Sequence, residues 1–128
     1  MSFQGDIYTA LTTDSGVSAI IGSRLFADVA DGSTVTPYLV YQVIGTNGET
    51  THDGNRNLEF PSIQFSAWAN TKAAAIALAS AVNTALDGQT LAGTSDISLT
   101  FSDQSGTRDP ESNLYGEILE YRGACNRN

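Results

Sequence analysis

The residue types that could perform chemistry are few and dispersed in this sequence. His52 is the only histidine, and it stands beside Asp53 in a turn-rich stretch that also holds Glu49. A metal site usually needs three or four ligands on firm elements, and a Ser-His-Asp triad would have to use this one histidine. Because no further ligand or triad partner follows at a suitable spacing, we interpret His52 as a surface residue.

Asp14 begins an Asp-Ser-Gly tripeptide that superficially matches the motif of aspartic proteases. That chemistry needs two aspartates brought together, for example in a homodimer, so that they share a proton. The tripeptide should also follow an apolar strand, but here it follows a helical pattern ending in Thr12 and Thr13. We therefore expect Asp14 to cap a helix. A small hydrolase built around Asp14 or His52 is the enzymatic alternative.

The acidic residues near the C-terminus do not form a recognised metal-binding motif. Asp103, Asp109 and Glu111 share one polar segment with Gly106, at a spacing unlike the twelve-residue calcium loop. Cys125 is the only cysteine, so the chain has neither an internal disulfide nor a Cys-x-x-Cys pair. The sequence predicts no catalytic residues, no cofactor and no metal ion.

Composition favours protein–protein contact over catalysis. The 128 residues fit a single domain, and only 16% of them are charged, whereas about 25% is typical. Uncharged polar residues fill much of the remaining surface, and such a surface costs less to dehydrate than one rich in Lys and Glu.

The net charge of −8 and the pI of about 4.2 disfavour binding to nucleic acid and to anionic membranes. The N-terminal residues lack the basic start and apolar run of a signal peptide. No stretch is apolar enough to span a bilayer. We expect the chain to be made and folded in the cytoplasm.

Three segments have the apolar periodicity of helices. Residues 3–13 are expected to form a short amphipathic helix, and Asp14 or Ser15 caps a second one that ends at Gly22. The strongest helix is predicted at 71–86, with Asn70 as its cap and Gly88 as its end. Its buried stripe comprises Ala75, Leu78, Ala79, Val82 and Leu86.

Five further segments have strand patterns, and together with the helices they predict an α+β fold. The expected sheet is antiparallel or mixed, with about four to five strands and the 71–86 helix on one face. Pro61 interrupts one strand, which predicts a bulge or an edge position there. The predicted strands are 24–29, 38–44, 58–69, 97–102 and 114–122; the predicted loops are 45–57 and 103–113, and 123–128 is a loose tail.

The predicted loop at 45–57 is longer than a hairpin between two strong strands needs. It is either a floppy surface hairpin or an arm that becomes ordered against a neighbouring protein. Trp68 is a second interface candidate, since tryptophan is enriched at interfaces, although it could equally lie under a helix or loop. The predicted interaction residues are Asn47, Glu49, His52, Asp53, Arg56 and Trp68.

Four stretches, in this order and spacing, resemble the small tail-completion proteins, or tail terminators, of long-tailed bacteriophages and gene transfer agents. They are LTTDSGVSAIIGSRLF at 11–26, TPYLVYQVIG at 36–45, FSAWAN at 65–70 and KAAAIALASAVNTALDG at 72–88. The last 35 or so residues are similar to the family only as strand, loop, strand.

The resemblance implies a virion protein, made in a bacterial host, that forms a ring of usually six subunits at the head-proximal end of the tail tube. Such a ring stops tube polymerisation and docks the tail to the head. The implied partners are copies of this chain, the tail tube protein and a head-neck or connector protein, while DNA passes through without specific binding. The alternatives are a head-side neck or adaptor protein and a small cellular binding module.

Overall fold

In the part of the chain that the structure describes, three helices combine with six strands. A computed structural model describes residues 3–22, 24–27, 36–50, 57–91, 97–110 and 113–126. The elements in chain order are α1 (Phe3–Thr13), α2 (Ser15–Ile21), β1 (Leu25–Ala27), β2 (Tyr38–Thr50), β3 (Asn57–Ala69), α3 (Lys72–Leu86), β4 (Thr90–Leu91), β5 (Ile97–Asp109) and β6 (Leu114–Asn126).

The strands form one mixed sheet in the order β1-β2-β3-β6-β5-β4. The pairing of β1 with β2 is parallel and all other pairings are antiparallel. The helices pack on the face that carries Ile63, Phe65 and Leu119, which are fully buried. The predicted α+β class is therefore confirmed, with two short outer strands added to four long ones.

Helix α3 lies on the sheet through the stripe that its periodicity predicts. All five predicted residues, from Ala75 to Leu86, are buried. The predicted cap at Asn70 is wrong by one residue, because the Thr71 hydroxyl accepts the hydrogen bond from the Ala74 N–H, at 3.1 Å. Gly88 follows the helix with a φ of +73°, a conformation that glycine adopts without strain.

Asp14 caps α2, as the sequence predicts. Its Oδ2 accepts hydrogen bonds from the N–H groups of Gly16 and Val17, each at 3.0 Å. Such a cap satisfies donors that a helix cannot pair internally, and it contributes about 1 kcal/mol. The turn it starts buries Val17 and Ile21 in the core beside α3.

Tyr121 of β6 joins the centre of the sheet to α3. Its side chain is fully buried, and its hydroxyl donates to Asn83 Oδ1 at 2.7 Å. Its ring meets Phe65 and Phe101 edge to face, at centroid distances of 5.6 and 5.8 Å, a favoured aromatic geometry. Burial, with a smaller effect of the Asp87 charge, raises the Tyr121 pKa, so the phenol keeps its proton and donates.

The predicted loops at 45–57 and 103–113 and the loose tail at 123–128 are largely wrong. β2 runs to Thr50 and pairs with β3 from Asn57 onward, while β5 runs to Asp109 and β6 to Asn126. These segments are polar and rich in turn-forming residues, so they lack the apolar alternation of a strand. Backbone ladder pairing stabilises them as strands independently of that pattern.

Pro61 is neither at an edge nor in a bulge of its own strand. It is buried on the core face of β3, an interior strand, with a Cα partner in Thr46 of β2. On the other side of β3, Glu59 and Ser62 have Cα partners in β6 but Pro61 has none, as expected of a residue with no N–H to donate. The irregularity lies in β2, between Val43 and Gly45.

Two bulges flank a single row of residues across the sheet. Val43, Ile63, Tyr121 and Phe101 are successive Cα partners in β2, β3, β6 and β5. Register shifts follow Val43 in β2 and Phe101 in β5. Along the strand direction, the β2–β3 hairpin therefore extends to one side of this row and the β5–β6 hairpin to the other side. No helix in the described ranges is long and apolar enough to cross a bilayer.

The α3 packing predicts different costs for two aliphatic residues of the same helix. Leu78 is fully buried, whereas Ile76 is 45% exposed. Leu78→Ala should lower the free energy of unfolding by about 2–5 kcal/mol, and Ile76→Ala by about 0.5 kcal/mol or less beyond its small propensity effect. Urea denaturation of both variants measures this, and equal losses would show that the helix is rotated from its assigned orientation.

Candidate functional site

The predicted arm is an extension of the β2–β3 ladder, and its β3 part also pairs with β6 at Leu58 and Glu59. Gly45 pairs with Ser62, and the ladder continues to the pair formed by Thr50 and Asn57. Asn47 and Glu49 are thus placed on β2. His52, Asp53 and Arg56 lie outside the described residues. We refer to residues 44–60 as the arm.

Two apolar residues of the arm are exposed, and sequence reasoning did not identify them as interface candidates. Ile44 stands at the β2 bulge and is 55% exposed, and Phe60 of β3 is 37% exposed. Phe60 has the opposite parity to Pro61 and Ile63, so it lies on the face that the helices do not cover. The parity of Phe60 was the available signal, but the expected bulge at Pro61 concealed it.

Trp68 lies on the sheet face opposite Phe65 and Ala67, as expected, and it is half-buried. Its cross-strand partners are Tyr38 in β2 and Gly116 in β6. A Cβ placed on Gly116 would lie 2.8 Å from Trp68 Cζ3. The indole therefore lies over a glycine of the neighbouring strand, and no helix of the described residues covers it. We call this helix-free surface of the sheet the open face.

Glu117 is a buried charged residue that sequence reasoning missed. Its side chain is 6% exposed, at the N-terminal end of α3. Lys72 Nζ lies 3.0 Å from Oε2, and the Gln104 amide donates to Oε1 at 2.8 Å. Burial alone raises the Glu117 pKa, but these two hydrogen bonds and the lysine charge together hold it below its ordinary value. The carboxylate is thus charged and satisfied, which fits a structural role.

The surroundings of Glu117 also require a residue without a side chain at Gly106. A Cβ at Gly106 would lie 2.4 Å from Lys72 Nζ and 2.9 Å from Glu117 Oε2. The ion pair therefore occupies the space above a residue without a side chain. Near the tip of the same hairpin, the Arg108 guanidinium lies 5.7 Å from the Tyr115 ring centroid and donates a hydrogen bond to Asn113.

The geometry does not assemble the enzymatic alternatives. The Asp14 carboxylate is engaged by the first turn of α2, and His52 lies outside the described residues. Asp103 and Asp109 lie on β5, whereas Glu111 is also outside the described part of the chain. Across the described ranges, no three His, Cys, Asp or Glu residues are placed to hold a metal ion.

Comparison with known proteins points in one direction. The model of a protein family described as tail completion protein gp17 matches residues 5–124. A chain in the solved structure of the virion of a native gene transfer agent particle has a similar fold, with a TM-score of 0.79 at 20% identity. That similarity covers 98% of this chain and 96% of the other. No curated protein sequence gives a significant match.

The lowered Glu117 pKa predicts a specific loss of stability in acid. A carboxylate whose pKa is depressed by folding stabilises the native state above its unfolded-state pKa, and this contribution disappears as the pH falls through the folded-state value. Glu117→Gln should therefore destabilise the protein at neutral pH and make its unfolding free energy less dependent on acid pH. Glu120→Gln, at an exposed position of the same strand, is the control and should do neither. If the unfolding free energies of the two variants depended on pH in the same way, Glu117 would not be the source of the acid-sensitive stability.

Proposed function

Because the chain belongs to the tail completion protein gp17 family, it is a structural protein of the phage tail, and we propose that it forms the ring that caps the head-proximal end of the tail tube. The family match over residues 5–124 carries this proposal. The ring ends tube polymerisation and docks the tail to the head neck. It acts by binding proteins, with no catalytic step.

The arm supports a role in assembly. A monomer gains little from a polar ladder that reaches beyond its helices, because the ladder adds strand pairs but few core contacts. Ile44 and Phe60 nevertheless keep apolar area exposed on this ladder, and such area favours association with another protein. We propose that the arm contacts the next subunit or the tail tube, with Asn47, Glu49, His52, Asp53 and Arg56 as interaction residues.

The open face supports passage of DNA without specific binding. Only this face can line a narrow channel if the helices face outward. Its exposed acids include Asp103 and Glu120, with Arg122 nearby on β6. A surface with a negative balance does not replace the counterions of phosphates, so it does not retain DNA. Trp68 and the neighbouring Tyr38 lie on the same face.

The family match also bears on the alternatives. A head-side neck or adaptor protein would share the ring but not the tail-completion family, so the tail side is favoured. A small cellular binding module or hydrolase would need a converging set of polar groups, whereas Asp14 caps a helix, Glu117 is in an ion pair, and Asp103 and Glu120 are at exposed strand positions.

The ring proposal predicts a fixed number of copies per tail. Six copies are expected on each assembled tail, because head-to-tail contacts that close a rotation give a defined number. Mass measurement of intact tails, compared between tails of different length, tests this. A copy number that rises with tail length would instead make the chain a tube-forming protein.

The arm predicts a separation of folding from assembly. Replacing residues 48–59 with Asn-Gly joins Asn47 to Phe60, which are Cα partners, by a two-residue hairpin turn. The shortened protein should unfold cooperatively, since the helix-packed core lies outside the deletion, but should yield tails that are not joined to heads. Electron microscopy and infectivity give the readout.

A second variant separates the charges of the arm from its length. Glu49→Gln, Asp53→Asn and Arg56→Gln together keep the length of the arm and neutralise three of its charged residues, leaving Glu59. Because charged groups at an interface set orientation and association rate more than affinity, this variant should assemble more slowly yet still give joined particles. If the protein in which residues 48–59 are replaced by Asn-Gly still joined tails to heads normally, the arm would not be a required contact.

A further inference from the structure

The sheet has two outer edges that β1 and β4 cover only in part. β1 pairs only with Leu39, Val40 and Tyr41 of β2, and β4 pairs only with Ile97 and Ser98 of β5. The C-terminal end of α3 extends the cover on β5, where the Phe101 N–H donates to Asp87 Oδ1 at 3.0 Å. Beyond these points, residues 43–50 and residues 102–108 have no outer strand partner within the described ranges.

We propose that copies of this chain join edge to edge, with residues 102–108 of one copy pairing antiparallel to residues 43–50 of the next. This inference rests on the ring proposed above and specifies its subunit contact. β2 and β5 run in opposite directions, since two antiparallel pairings relate β2 to β6 and a third relates β6 to β5. A rotated copy therefore continues the antiparallel alternation of the sheet.

The composition of the two edges fits pairing. Natural free edges are commonly protected by lysine or proline, and neither residue occurs at 43–50 or 102–108. A bulge lies at the beginning of each segment, where the cover by the short outer strand or by the end of α3 stops. Within the described ranges each segment lacks an outer strand partner, and a second copy would supply one to both.

The pleat limits the register. Gly45 pairs with Ser62 and lies on the open face, as do Ser105 and Thr107 of β5, whose β6 partners are Ile118 and Gly116. Matching the faces allows Gly45 to lie opposite Asp103, Ser105 or Thr107. The Asp103 register would pair only residues 43–46 with the segment 102–108. The Thr107 register puts Glu49 directly opposite Asp103, and like charges in that position are unfavourable. The favoured register therefore pairs Gly45 with Ser105.

The offset between the edges agrees with a closed ring. Gly45 is the Cα partner of Ser62 in β3, and Ser105 is connected through its β6 partner Ile118 to Ser66 in β3. Ser62 and Ser66 are four residues apart, so the two edge positions are offset along the strands by about 13 Å at about 3.3 Å per residue. Four strand spacings of about 4.8 Å separate one copy from the next. The resulting strand tilt is about 35°, within the range typical of closed barrels. A flat, untilted ring would not bring the two edges together.

Disulfide formation in assembled tails tests the contact. In a Cys125→Ser background, Gly45→Cys is combined with Ser105→Cys; nothing lies within 4 Å of a Cβ at Gly45. Within one copy these positions are three strands apart, about 14 Å before the offset is counted, so they cannot form an internal disulfide. Mild oxidation should give a ladder of cross-linked multimers ending at the full ring. Gly45→Cys with Thr100→Cys, on the same face but in the covered part of β5, is the matched control and should stay uncross-linked.

Hydrogen exchange on the unsubstituted protein gives a readout that does not depend on variant folding. Amides in 43–50 and 102–108 should exchange at least tenfold more slowly in assembled tails than in the free chain. A fixed copy number with neither Gly45–Ser105 disulfide nor added protection would overturn edge pairing and leave the ring intact. A variable copy number would reject both.

Discussion

The structure depends on the contact that Tyr121 makes between the sheet and α3. Its ring fills the space between Phe65 and Phe101, and its hydroxyl donates to Asn83 on the helix. One side chain of β6 thus contacts aromatic residues of β3 and β5 and bonds to α3 above them. A buried phenol is stable only with a hydrogen-bond partner, so the aromatic packing and the polar contact must form together.

The row through Tyr121 also divides the sheet into a packed centre and two extensions. Helices cover the centre, where aliphatic and aromatic side chains form the core. Beyond the bulges that follow Val43 and Phe101, β2 and β5 extend in opposite directions, without an outer strand partner in the described ranges. Bulges re-aim a strand without ending its ladder. A rigid body with two projecting edges is suited to assembly, because the body holds the edges in a fixed relation.

Charge has a different role in the centre and at the surface. The carboxylate of Glu117 is buried with Lys72 and Gln104 as partners, so it holds the first turn of α3 against β6 and β5 instead of facing a ligand. Asp14 serves α2 in the same local manner. Among the remaining described acids, Asp103 and Glu120 are exposed on the open face. The roles of Glu117 and Asp14 are structural ones within the subunit.

The sequence alone determined the elements whose signals are local. The stripe from Ala75 to Leu86 follows from the helical period, and the Asp14 cap from the side-chain chemistry of the next turn. The order and spacing of the four matching stretches also indicated the family. Tertiary structure decided the strand extensions to Thr50 and Asp109, the burial of Glu117 and the exposure of Ile44 and Phe60. The extensions and the burial of Glu117 depend on which strand lies alongside, and backbone pairing between segments distant in the chain leaves no periodic mark on a polar sequence. The exposure of Phe60 follows from its parity once the bulge lies in β2 and not at Pro61.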